Sequence, residues 1–98
     1  MIKTALDRNH ARVAKEISSF VQQAHKDDPW VSEIQVAYSV LLSRLPSNRR
    51  RIAQQFPTKE IRAIARAARQ DTGVRDIKIV TKRGEKRSGH IMVVAMMK

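Results

Sequence analysis

The sequence predicts a mainly helical α+β domain closed by a C-terminal β-hairpin, and three observations carry that prediction. Apolar residues recur at helical spacing from the N-terminus to about Gln70. Breaks at Asp28-Pro29, Leu45-Pro46, Phe56-Pro57 and Gly73 cut that stretch into helix-sized pieces. Beyond Gly73 the pattern becomes that of strands, with VRDIKIVT, a polar loop holding two glycines, and the apolar run IMVVAMM. A chain of 98 residues sustains one modest core. The expectation is therefore a single domain over 1–98, with an amphipathic helix in 1–26 and the helical core plus hairpin in 28–98.

The first helix is predicted over Thr4 to His25, where Leu6, His10, Val13, Ile17, Phe20 and Ala24 are spaced by four and three residues and share one stripe. Packing onto the rest of the domain is the first reading of that stripe, and a seam between two copies is the second. Asp28 can accept a hydrogen bond from a free amide of the next turn, and Pro29 suits a first helical position. A second helix is expected to carry Val31, Ile34, Tyr38, Leu41, Leu42 and Leu45 into the core and to end near Arg44, with Trp30 anchoring the corner. Ser47 is a candidate cap for a third helix, Asn48 to Gln55, and Thr58 for a fourth, Lys59 to about Gln70, which Gly73 terminates. In the first strand Ile77 and Ile79 alternate with Asp76 and Lys78, and the last strand is apolar on both faces, as for a strand covered on both sides.

Charge is sorted along the chain. Up to Ser43 there are five basic and five acidic residues, whereas from Arg44 onward there are fifteen basic and four acidic, so the whole net charge of +11 lies in the second part. A one-sided positive field steers a polyanion to one face, and a phosphate backbone gives such a face a sequence-independent binding term. The fourth helix concentrates the signal. Lys59, Arg62, Arg66 and Arg69 fall within a stripe roughly 80° wide at 100° per residue, and Ile61, Ile64, Ala65 and Ala68 lie opposite. Its one acid before Gln70, Glu60, stands in the first turn, where the helix dipole favours it. Ala63 and Ala67 flank the stripe and leave room for close approach to a groove. Arg49, Arg50 and Arg51 sit at the start of the third helix, where the dipole repels them, so local helix stability does not account for them.

The third and fourth helices, joined across Phe56-Pro57-Thr58, have the outline of a helix-turn-helix, with Ile52, Ala53 and Phe56 expected to pack on Ile61 and Ile64. Followed by two strands with Lys82, Arg83, Lys86 and Arg87 in the loop between them, this order resembles the architecture of a winged helix. The resemblance lies in element order and charge and is an analogy of architecture. It implies a binding protein, not an enzyme, whose basic helix and hairpin tip engage double-stranded DNA, as a transcriptional regulator or a DNA-organising accessory factor. The nucleic-acid-binding set is Arg49, Arg50, Arg51, Lys59, Arg62, Arg66, Arg69, Lys82, Arg83, Lys86 and Arg87.

Two other classes compete. An RNA- or ribosome-binding adaptor would use the same charge, with Met92, Met96 and Met97 as an adaptable apolar contact. A small basic ribonuclease would need His90 as general base beside Lys86 or Arg87. His10, His25 and His90 lack metal-ligand spacing and no phosphate-cradling glycine loop occurs, so neither a metal nor a cofactor is expected. There is no cysteine, no apolar run of membrane-spanning length and no secretory-type N-terminal segment, from which a cytoplasmic or nucleoid-associated protein is expected. A last strand left exposed would invite pairing between two copies, giving a possible homodimer.

Overall fold

The computed structural model describes residues 5–81 and 91–97, with side chains from residue 8 onward. It is an α+β fold of four helices and a three-stranded antiparallel sheet: α1 (Ala5–Asp27), β1 (Glu33–Ala37), α2 (Tyr38–Leu42), α3 (Ser47–Gln54), α4 (Thr58–Thr72), β2 (Asp76–Thr81) and β3 (Ile91–Met96). The strand order is β1-β3-β2, with both pairs antiparallel.

The long first helix forms as its periodicity predicts and packs mainly on α4. Val13, Ile17 and Val21 are buried in the core, while Phe20 and Ala24 are half-buried at its margin. Leu6, assigned to the same stripe from its spacing, lies outside the described side chains.

The expected second helix is replaced by a strand and a short helix. Asp28 does accept a hydrogen bond, from the Trp30 amide at 3.2 Å, but the turn it closes leads into β1. Ile34 and Val36 point inward while Glu33 and Gln35 face solvent, an alternation hidden within a spacing that also satisfies a helix. The choice is made by β3, whose second edge needs backbone partners. β1 supplies them in the register Glu33↔Met96 to Ala37↔Met92, extended by a Met97 amide to Ser32 carbonyl bond of 2.9 Å. The last strand is therefore the central one, with no free edge, and β1 and β2 form the margins. The condition stated for edge pairing between two copies, a last strand left exposed, is not met, because both edges of β3 are taken.

Trp30 anchors no corner, being 93% exposed. The aromatic anchor is Tyr38 instead. It is fully buried at the start of α2, and its hydroxyl donates to the Ala53 carbonyl in α3 at 3.0 Å.

The starts of α3 and α4 lie one residue earlier than expected. Pro46 and Pro57 occupy the N-cap positions in extended conformation, and no Ser47 or Thr58 side-chain cap bond forms. Proline there already has a helix-compatible φ, and its carbonyl accepts the first helical bonds, from Arg50 at 2.9 Å and Ile61 at 3.1 Å. Gly73 ends α4 in the left-handed conformation, φ 71°, with its amide bonded to the Arg69 carbonyl at 2.9 Å. Ala53 and Phe56 are buried as expected, but Ile52 is 42% exposed and turns outward.

Candidate nucleic-acid interface

The α4 helix is amphipathic in the sense its sequence predicts. Ile61, Ile64, Ala65 and Ala68 are buried, whereas Lys59, Arg62, Ala63, Arg66, Ala67 and Arg69 are exposed. Among the described residues the one pair of a basic and an acidic side chain within 4 Å is His10 Nε2 and Glu60 Oε1, at 3.9 Å, so Lys59, Arg62, Arg66 and Arg69 have no carboxylate at that distance. Glu60 is half-buried and turned toward α1, away from the cationic stripe. Arg69 is held at the end of the row, where its Nε donates to the Arg75 carbonyl at 3.0 Å. That contact ties the last turn of α4 to the entry of β2.

Beside the stripe runs a groove of about 350 Å³, lined by Arg62, Ala65 and Arg66 of α4 and by Ile77, Lys78, Ile79 and Val80 of β2. Lys78 is exposed and adds a cation across the groove from Arg62 and Arg66. The sequence held a signal for it, since Lys78 alternates with the inward Ile77, but the pairing of β2 with α4 is tertiary.

The three consecutive arginines are dispersed. Arg49 is half-buried and reaches back to α1, its Nη1 lying 3.4 Å from Asn9 Oδ1. Arg50 is half-buried and donates from Nη2 to the Leu45 carbonyl at 3.2 Å, closing the loop before α3. Of the three, Arg51 alone is exposed. Lys82, Arg83, Lys86 and Arg87, together with Gly84, Gly89 and His90, lie outside the described residues.

A second basic surface was not read from the sequence. Arg8, Arg12 and Lys15 stand exposed on the outer face of α1, and Arg49 joins them along a groove of about 670 Å³ whose one acid is Glu16. The neutral total of the first 43 residues concealed it, because three of their five acids, Asp27, Asp28 and Glu33, lie beyond this groove at or past the end of α1.

His10 is a packing residue. Its ring meets Phe56 edge-on, centroids 4.7 Å apart, and its Nε2 lies 3.9 Å from Glu60 Oε1, where the second turn of α1 meets the first turn of α4. Arg44 lies over the ring of Phe20 at 5.3 Å, a cation–π contact that covers the margin of α1. Among the described residues no three His, Asp or Glu side chains gather at metal-binding distances. No described helix is long and apolar enough to cross a membrane. Comparison with family models, with characterised proteins and with solved structures finds no match to this chain.

Proposed function

We propose that this chain binds double-stranded DNA as a winged-helix-like module, in the role of a transcriptional regulator or a DNA-organising accessory factor. The pair α3 and α4, joined through Gln55, Phe56 and Pro57, serves as the helix-turn-helix, and β2 and β3 carry the wing. The observation that carries the reading is the α4 stripe: three long cations, Lys59, Arg62 and Arg66, exposed on one face with no carboxylate within 4 Å among the described residues. Their separation from carboxylates leaves their charge available to phosphates, and each neutralised phosphate releases counter-ions. Exposed Ala63 and Ala67 beside the stripe let the helix backbone come close to a groove wall.

Arg62, Arg66 and Lys78 form the centre of the proposed contact, with Lys59 and Arg51 flanking and Arg69 restrained at the far end. Asparagine and glutamine, which pair well with adenine, are nearly absent from the stripe, with Gln70 at its edge, so phosphate contacts make up a large part of the binding. The role is binding and needs no metal or cofactor.

The test is fluorescence anisotropy with labelled duplex DNA, duplex RNA and single strands of matched length at several salt concentrations. Tightest binding to duplex DNA with a steep salt dependence supports the reading. Preference for RNA would move the protein to the RNA-binding class, and a flat dependence would make the basic stripe a solvated surface.

A further inference from the structure

The second basic surface does not adjoin the first. On α1, Arg8, Arg12 and Lys15 span an arc of about 60° that is centred about 170° from Val13, Ile17 and Val21. On α4, the stripe is centred roughly 130° from Ile61, Ile64, Ala65 and Ala68. The two helices pack against each other and bury these residues in one shared core. His10 and Glu60, which meet between the helices, lie about 170° and 140° from the respective cationic rows, so those rows point away from each other, separated by two helix diameters, about 20 Å. The α1 face is also built from two elements. Arg49 crosses from the start of α3 to Asn9, so the groove holds four cations against one carboxylate, and among the described residues no carboxylate lies within 4 Å of any of them.

We infer that the protein bridges two duplexes, with α4 holding one and the groove of Arg8, Arg12, Lys15 and Arg49 holding the phosphate backbone of a second. This rests on the proposed DNA-binding role and extends it from one face to two. A single duplex cannot serve both faces. The domain measures 37 × 32 × 24 Å, and DNA in contact with opposite sides of it would have to turn back on itself within that span. A smooth bend of 40–90° over 20–30 base pairs already costs about 1–6 kcal/mol. A second, separate segment meets the outer face of α1 with no such deformation. That face is suited to backbone contact, since its four cations line an open groove with a single serine, Ser19, as the further polar partner.

The test is a sandwich capture. One duplex is fixed to beads through biotin, protein is added, and retention of a second, fluorescent duplex is read. Binding of a single short duplex is measured in parallel by anisotropy. The wild type should retain the second duplex. The variant Arg8→Gln, Arg12→Gln, Lys15→Gln should reduce that retention to the protein-free background while changing single-duplex affinity by no more than about twofold, as expected of sites this far apart. All three positions are exposed and glutamine is a good helix former, so circular dichroism of the variant should match the wild type.

Retention that persists in the variant would overturn the inference, because bridging would then arise from two copies each using α4. A loss of single-duplex affinity matching the loss of capture would also overturn it, because both faces would then lie on one duplex. If the wild type binds one duplex and captures no second, the inference alone fails. If it binds no duplex at all, the DNA-binding reading fails with it.

Discussion

Replacing Arg62 and Arg66 with alanine isolates the contribution of α4. Four cations on that side, Lys59, Arg62, Arg66 and Lys78, are exposed without a carboxylate within 4 Å among the described residues. If each meets one phosphate, their joint contribution to the log–log salt slope is about −3.6, and the double variant should retain about −1.8. Raising salt fourfold then weakens the wild-type contact by about 150-fold and the variant contact by about 12-fold. Contacts made elsewhere on the chain add to both slopes and leave the difference of about 1.8 intact. Stability should change by no more than about 0.5 kcal/mol, since both side chains are exposed and alanine favours the helix. Anisotropy titrations with a short duplex at five or so salt concentrations give the slope, and thermal melting followed by circular dichroism gives the control. Equal slopes for wild type and variant would refute the phosphate contact, whatever happened to the affinity at a single salt concentration.

Three further outcomes test the fold that positions the site. Tyr38→Phe removes the donor to the buried Ala53 carbonyl and should destabilise by about 1–2 kcal/mol in urea unfolding. Burial, assisted by the negative charge of Glu60, raises the pKa of the Tyr38 hydroxyl above its ordinary value. The folded state therefore favours the neutral phenol. That contribution is fully present below about pH 10 and declines as the pH rises further, so Tyr38→Phe should show a shallower alkaline loss of stability than the wild type. Gly73→Ala places a Cβ that meets nothing within 4 Å, so only the left-handed backbone opposes it, and a loss of about 1–2 kcal/mol in the same assay is expected. Trp30→Ala should leave stability within about 0.5 kcal/mol, and the wild-type indole should be quenched freely by iodide; a protected, blue-shifted emission would contradict its exposure.

The basic stripe of α4 was legible in the sequence because everything that defines it is local. Isoleucines and alanines at helical spacing fix which face is buried, and that leaves Lys59, Arg62, Arg66 and Arg69 on the other. Gly73 is equally local, as a glycine one residue past the last turn that accepts the left-handed conformation there. The inward and outward alternation of Ile77 and Lys78 follows from a period of two, and the burial of β3 on both faces from its unbroken apolar run.

What the tertiary structure decided concerns segments whose local pattern admits two answers. Ile34, Tyr38 and Leu41 fit a helix, while Ile34 and Val36 fit a strand, and hydrogen bonding to β3, distant in sequence, selects the strand. Arg49, Arg50 and Arg51 read as one cluster, yet successive helical side chains diverge, and packing gives one to α1, one to the Leu45 carbonyl and one to solvent. The basic face of α1 was masked by the acids that follow it in the chain, because a sum over sequence ignores position in space. Periodicity is a property of neighbouring residues and survives without a partner. Strand pairing and the field at a surface depend on which distant segments arrive there, and only the folded chain brings them together.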